Sequence, residues 1–463
     1  MTFQTVPVDV VGQTYQHRSR SLSSQRTVNL IPEFVLSGRS QTALTCWPGS
    51  KSFSDGSGSD RGMHVFNGTL YKVSGETLES INQAGTRTTI GTIDGTNPCI
   101  FANDGNSMRI ATGSKDYIYD GSTLAAITDL DLTPGNSVAY LNQQMINDST
   151  GGSFQVSDVG DPDSINNLNV ATAESAPDDT IRVFAFNERL YLFGEDSIET
   201  WYNSGTGNPP FDRIQGGVMN IGLASVYSVA STADATYFLA SDRSVYRFTA
   251  YQADSVTSSA ISSAFEGFST VNDARSYIVN IEGQSFYVIN FPTEGKTYAF
   301  NEDGNAWFEL ATGAEQDNYI GTSYAEVYGK RLIAKEGKIL ELDLNTFTDD
   351  SVTVIRERVS APIADPSGRR IIMSKFQCVM EVGVGLITGQ GVDPQMMFDM
   401  SLDGGESWTN EQWVDIGRMG EGRIKVEYYQ TVSAYSIMVR MRVSDPVFIS
   451  IHSASADIMP GGF

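Results

Sequence analysis

Cysteine is scarce in this chain of 463 residues: there are three, Cys46, Cys99 and Cys378, and none lies in a CxxC pair. That excludes a disulfide framework and a cysteine-based metal site, and it fits assembly in a reducing compartment. Histidine is equally rare, with His17, His64 and His452 isolated and without HxH or HExxH spacing. A histidine metal centre or histidine-based triad has no foundation in such a pattern. No stretch of about 18 apolar residues occurs, so nothing reads as a membrane-spanning helix. The first residues lack a charged segment followed by an apolar one, so no secretory leader is expected. Positive charge is in deficit: 31 Lys and Arg stand against 55 Asp and Glu, a formal net charge of -24. A surface of that sign repels phosphate backbones and anionic lipid, which argues against conventional DNA binding. GxSxG, P-loop and dinucleotide fingerprints are missing too.

What the chain does have is turn-formers and aromatics: 44 Gly, 23 Phe and 20 Tyr, without long Ala, Leu, Glu or Lys runs. This composition predicts an all-β protein of many short strands. Residues 171–205 show the pattern in miniature. Ile181 to Phe186, Arg189 to Phe193 and Ser197 to Tyr202 read as a three-stranded meander, joined by turns at Asn187-Glu188 and at Gly194-Glu195-Asp196. The first two strands carry apolar residues on both faces and need cover on both. The third, more polar, reads as an edge.

Turn signals recur along the chain at Asn67-Gly68, Gly105-Asn106, Asn142-Gln143, Asn187-Glu188, Ala233-Asp234, Glu282-Gly283 and Gly329-Lys330. Their spacing, roughly 40 to 50 residues, is that of propeller blades. Each unit is an apolar hairpin that cannot bury both faces alone, and radial packing supplies the cover. The expectation is a β-propeller of about six to seven blades over residues 55–350, preceded by an N-terminal arm, 1–54. Residues 141–180 and 203–217 read as loops on its rim. Beyond 350 the spacing is lost, and strands at 371–382, 396–402, 423–432, 435–443 and 447–451 predict a β-sandwich-like C-terminal domain, 351–463.

The arm holds a local excess of positive charge, Arg18, Arg20, Arg26 and Arg39 against Asp9 and Glu33. Two readings stay open: an irregular strand that closes a β domain, or a contact between subunits in which Arg18, Arg20 and Arg26 meet an acidic partner. Carboxylates are too plentiful for any pair to stand out as a glycosidase acid and base. The Asp-rich turns Asp129-Asp131 and Asp158-Asp161-Asp163 lack a full calcium-loop spacing, and solvated turns are the commoner use. The sharpest local motif is Ser401-Leu402-Asp403-Gly404-Gly405-Glu406-Ser407-Trp408, which fits the Asp-box, S-x-D-x-G-x-[ST]-W. Its aspartate is expected to hold its own turn, with the glycines at positive φ and the tryptophan packed beneath. The Asp-box resembles those of sialidases, where it is structural; the arginine cluster and Tyr–Glu pair of a sialidase cannot be assigned here.

Several segments carry a family resemblance: AESAPD at 173–178, LYLFG at 190–194, SIETWYNSG at 197–205, SLSSQRTVNLIPE at 21–33, RGMHVFNGTLYKVSG at 61–75, and FYVINFPTEGKTYAFNEDGNAWFEL at 286–310. With the last hundred residues they resemble the packaged-DNA-stabilising tail proteins, or tail nozzles, of short-tailed bacteriophages. The resemblance implies a structural virion protein assembled in the host cytoplasm. It further implies a hexameric ring below the portal and adaptor that extends the DNA channel, retains packaged DNA and lets it pass at ejection. The implied partners are further copies of the chain, the adaptor ring, and tail fibre or spike proteins. No catalytic residue, cofactor or metal is implied. The alternatives are a sialidase-like propeller glycoside hydrolase and a generic propeller interaction scaffold.

Overall fold

The computed structural model describes residues 2–20, 22–34, 40–173, 178–249 and 252–461, and these are almost wholly β. Among the described residues seven four-stranded antiparallel blades stand in a ring, five as separate sheets and the sixth and seventh as parts of larger sheets. The first blade runs Asp60–Phe66, Thr69–Ser74, Thr77–Ile81, Arg87–Thr92, and the fourth runs Thr180–Phe186, Arg189–Gly194, Ile198–Asn203, Phe211–Met219. The innermost hairpin of most blades turns where the sequence predicts. Asn67-Gly68, Asn142-Gln143, Asn187-Glu188 and Glu282-Gly283 all sit at positive φ, the two-residue turn whose twist matches that of paired strands. The seventh falls one residue early, at Tyr328-Gly329.

Every gap between neighbouring blades is filled by its own apolar cluster. Val73 and Ile110 meet between blades one and two, Ala111 and Val138 between two and three, Phe154 and Trp201 between three and four. Phe193 and Phe238, Tyr237 and Tyr287, and Val279 and Ile333 fill the next three gaps, and Leu70 with Leu332 joins blade seven to blade one. Seven gaps for seven blades mean a closed ring, with no apolar sheet face left to solvent.

Three expectations need correction here. Ile198–Asn203 is not an edge: Phe211–Met219 pairs outside it, and Ile198, Glu199, Thr200 and Trp201 are buried. Residues 141–180 and 203–217 are not mainly loops, since they hold Gln144–Asp148, Ser153–Asp158, Asp161–Thr172 and most of Phe211–Met219. Of these, Asp161–Thr172 and Phe211–Met219 are the outermost strands of their blades and bury little of one face, so their sequences are polar and read as coil.

The first 54 residues do not form a separate arm. Gly49–Ser54 is the outer strand of blade seven, in antiparallel register with Lys338–Asp343. Leu30–Phe34, Thr42–Cys46 and Gln4–Val8 belong to one sheet of the C-terminal sandwich, together with Ile371–Met380, Val426–Ala434 and Ser450–Pro460. The second sandwich sheet contains Arg356–Val359, Ser436–Val443, Gln395–Ser401 and Gln412–Asp415. The two sheets bury one core in which Phe376, Phe398, Ile437, Val439 and Met441 meet. Along Ser436–Val443, Ile437, Val439, Met441 and Val443 are buried in this core, whereas Tyr435, just before the strand, is exposed.

Ser24–Val28 fuses the two domains: it pairs with Arg356–Val359 on one side and, through Val28 opposite Glu309, with the outer strand of blade six on the other. Beside it, the Asn29 amide donates to the carbonyls of Ala311 and Ile355 and accepts from the Ala311 N–H. Propeller and sandwich are thus held by one continuous sheet.

Candidate functional site: the cleft between propeller and sandwich

A cleft of about 480 Å³ lies where the N-terminal hairpin, the sandwich and the propeller meet. Tyr15–Gln16 pairs with the start of Ser24–Val28, and the connecting turn carries Arg18 and Arg20. His17 Nδ1 accepts the Ser19 N–H at 3.0 Å, and the Leu22 N–H reaches the Ser19 carbonyl at 3.0 Å, which closes the turn. Ser24 Oγ donates to the Gly404 carbonyl at 2.8 Å, tying this hairpin to the Asp-box. On the propeller side the wall is the helix Ser259–Glu266, capped by the Ser258 hydroxyl on the Ile261 N–H. Tyr15 and Ser259 hydroxyls meet at 3.1 Å.

All three arginines singled out in the sequence line this cleft, and Arg440 joins them. Their circumstances differ. Arg26 grips Glu309 with two parallel hydrogen bonds, Nε to Oε1 at 3.0 Å and Nη2 to Oε2 at 2.7 Å, and also reaches Glu357 at 3.2 Å and Gln316 at 2.6 Å. Burial opposes its charge, but Glu309 and Glu357 outweigh that and raise its pKa further. Arg440 holds Asp399 through both Nε and Nη2, and its guanidinium lies 4.2 Å from the Trp408 ring centroid. Those two cations are neutralised within the fold. Arg18 and Arg20 are exposed and enter no ion pair among the described residues. Arg39 lies outside the described residues.

The Asp-box is a turn that holds itself. Asp403 Oδ1 accepts from Ser401 Oγ at 2.7 Å and from the N–H groups of Glu406 and Ser407 at 3.0 Å each, while Oδ2 accepts from the Ser407 hydroxyl at 2.5 Å. Those donors, led by Ser407, hold its carboxyl well below the usual range. Gly404 and Gly405 have φ of 81° and 94°. Trp408 lies half-buried at the cleft, with the Arg440 guanidinium over its ring. The Asp-rich turns likewise spend their carboxylates locally. Asp129 accepts the N–H groups of Asp131 and Ile165 at 2.9 Å each, and Asp158 accepts from Ser164 at 3.0 Å. The three histidines lie far apart in the fold: His17 in the hairpin turn, His64 stacked on Phe101 in blade one, and His452 beside Ser450 in the sandwich. No helix among the described residues is long and apolar enough to cross a membrane.

A family model described as Bacteriophage P22 Gp10, beta-propeller, matches residues 4–346, and one described as Bacteriophage P22 Gp10, beta-sandwich, matches residues 357–459. The chain belongs to the bacteriophage P22 Gp10 family. It is therefore a phage structural protein, and the Gp10 family is not one of enzymes. The two matched regions agree with a propeller followed by a sandwich, although Gln4–Val8, Leu30–Phe34 and Thr42–Cys46 of the Gp10 propeller match lie in the sandwich and Ser24–Val28 is the strand that joins it to blade six. No curated protein matches. Among solved structures, the WD40 beta propeller domain of Doa1 is 11% identical, with a TM-score of 0.42 over 64% of this chain and 97% of that one. PorZ of Porphyromonas gingivalis is 14% identical, with a TM-score of 0.38 over 79% of this chain and 46% of its own. The extracellular domain of BT4673 from B. thetaiotaomicron is 8% identical, with a TM-score of 0.44 over 64% and 40%.

Proposed function

We propose that this Gp10-family chain forms a hexameric ring in the phage tail, below the portal and adaptor, which prolongs the DNA channel, retains packaged DNA and releases it at ejection. The observation that carries the reading is family membership through both domains. Charge and shape support it. A net charge of -24 offers DNA phosphates few contacts, so a duplex is confined without adhering and can slide when a gate opens. The propeller axis is occupied by seven inner strands around a cavity of only about 250 Å³. A duplex has no path through one chain, so the channel lies between subunits, and head-to-tail contacts between identical chains close it.

Blade three and the segment leading into it supply a surface suited to such contacts, for Leu130, Val159 and Leu168 are 99%, 67% and 65% exposed there. The unneutralised Arg18 and Arg20 at the cleft mouth are proposed to meet the acidic adaptor ring, with tail fibre or spike proteins attaching elsewhere on the rim. Arg26 contributes by holding the hairpin that carries them. Assembly in the host cytoplasm accords with three buried, unpaired cysteines. The test is to package particles with and without this protein and measure nuclease-resistant DNA over time. Retention only when it is present is expected; equal retention in both preparations overturns the channel-and-plug role.

A further inference from the structure

At one end of the propeller axis, a cavity of about 250 Å³ is walled by residues from six of the seven blades. It brings together three arginines that lie far apart in sequence, Arg61, Arg182 and Arg275. Tyr227 lies close enough to feel the charge of all three. None of the three forms an ion pair among the described residues; each donates to backbone carbonyls instead. Arg61 serves those of Gly75, Ile93, Asp94 and Asn97, and Arg275 that of Asp60 at 2.9 Å. Arg182 donates one Nη1 hydrogen bond to the Val226 carbonyl and faces the Phe184 ring. Its Nε has no partner although the residue is only 8% exposed.

The carboxylates nearby are already engaged. Asp60 is bound to the Lys72 ammonium and accepts from Thr322 Oγ1 at 2.9 Å. Asp148, whose charge reaches Arg182, takes the Ser137 N–H and hydroxyl at 2.7 and 2.6 Å and the Asn136 N–H at 2.9 Å. His64 adds no cation at neutral pH, because burial pushes it down to about 4. Three buried or half-buried guanidinium groups without a carboxylate partner are costly in a poorly solvated interior. That cost is partly visible in Arg182, which burial pushes down to about 10.

We propose that this axial cavity is an oxyanion site, taking one inorganic phosphate- or sulfate-sized anion held by Arg182 and Arg275 in the field of Arg61. A tetrahedral oxyanion presents acceptors in several directions, which suits guanidinium forks converging from different blades and the unused Arg182 Nε–H. A ligand gripped at once by blades four and six braces the ring from inside, so binding also stabilises the folded chain.

The experiment uses the full chain in phosphate-free chloride buffer. Equilibrium dialysis against labelled inorganic phosphate at constant ionic strength is expected to give about one saturable site per chain, displaced by sulfate and much less by acetate or chloride. The thermal midpoint should rise over the same concentration range. Arg182→Gln and Arg275→Gln should each weaken binding about tenfold or more; Arg275 is the gentler variant, since its side chain is only half-buried whereas Arg182 is buried. The double variant Arg18→Gln/Arg20→Gln should bind as wild type. Absence of a saturable site in the wild-type chain, binding undiminished in both axial variants, or loss in the Arg18/Arg20 variant overturns the proposal. Displacement by acetate as strong as by sulfate reassigns the cavity to carboxylates and overturns it as well.

Discussion

Lys51 reaches across 292 residues of sequence to bind Asp343 at 2.6 Å, and the strands that carry them pair in register from Gly49 opposite Asp343 to Ser54 opposite Ile339. The propeller is thus closed by a strand from the N-terminal side of the chain, together with the packing of Leu70 and Leu332 between the first and last blades. Gly49 has no room for a side chain at this closure. A Cβ there would meet backbone atoms of Thr346 and Thr348 at 2.4 to 2.8 Å. Gly49→Val should therefore lower stability by about 1–3 kcal/mol, as overpacking does. Urea unfolding followed by tryptophan fluorescence measures it, and an unchanged midpoint contradicts the closure role.

Asp349 sits against the same strand, opposite Ser50, and accepts from the hydroxyls of Ser50 at 3.1 Å and Thr312 at 2.8 Å. Burial pushes its carboxyl up to about 6, so the folded chain binds this proton more tightly than the unfolded chain does. For a raised group the stability contribution is complete below the unfolded value, about 4, and is lost as pH rises through about 6. Asp349→Asn should flatten that decline and stabilise the chain at neutral pH by roughly 1–3 kcal/mol. Unfolding curves between these pH values decide it; a variant less stable than wild type at pH 7 contradicts the sign.

The Asp-box gives the opposite dependence. Hydrogen bonds, chiefly from Ser407, depress Asp403, so its contribution is present above the unfolded carboxylate value and is lost as pH falls below it. The group is exposed, so Asp403→Asn should cost only about 1 kcal/mol at neutral pH, and the gap to wild type should close in acid. No hydrolytic activity should depend on it. Polysaccharide turnover abolished by this substitution in a folded protein would overturn the structural role of the motif.

Local signals were legible in the sequence, and long-range pairings were not. Asn67, Asn142, Asn187 and Glu282 announce their turns because a tight hairpin demands positive φ within two residues. The alternation Ile437, Val439, Met441, Val443 announces a half-buried strand for the same local reason. Nothing near Lys51 announces Asp343, and nothing near Ser24 announces Gly404, since each pairing is made only by the closed fold. The strand Asp161–Thr172 escaped notice because its outer position leaves it polar. In the cleft, Arg18, Arg20 and Arg26 were visible as a charge excess, but the sequence offered no sign that Arg26 is committed to Glu309 or that Arg440 and Trp408 complete the wall. The axial arginines were missed altogether: Arg61, Arg182 and Arg275 share no motif, only an axis.

The arginines of the cleft can be separated by experiment. Removing residues 1–30 would delete Gln4–Val8 and Ser24–Val28, and with them the sheet that fuses the domains, so truncation would confound docking with folding. Point changes avoid this. Arg26→Ala strands Glu309 and Glu357, which are 8% and 5% exposed, and should cost about 3 kcal/mol or more. Arg18→Glu/Arg20→Glu alters only exposed side chains without an ion pair among the described residues, so stability should change by less than about 0.5 kcal/mol. If those two charges dock on an acidic ring, the double reversal should abolish incorporation into tails while the monomer stays folded. Wild-type incorporation should also slow as ionic strength rises, because the attraction acts between exposed charges. Normal incorporation of the double reversal, at any salt, would show that the cleft mouth is not the docking surface and that the basic excess near the N-terminus serves the fold alone.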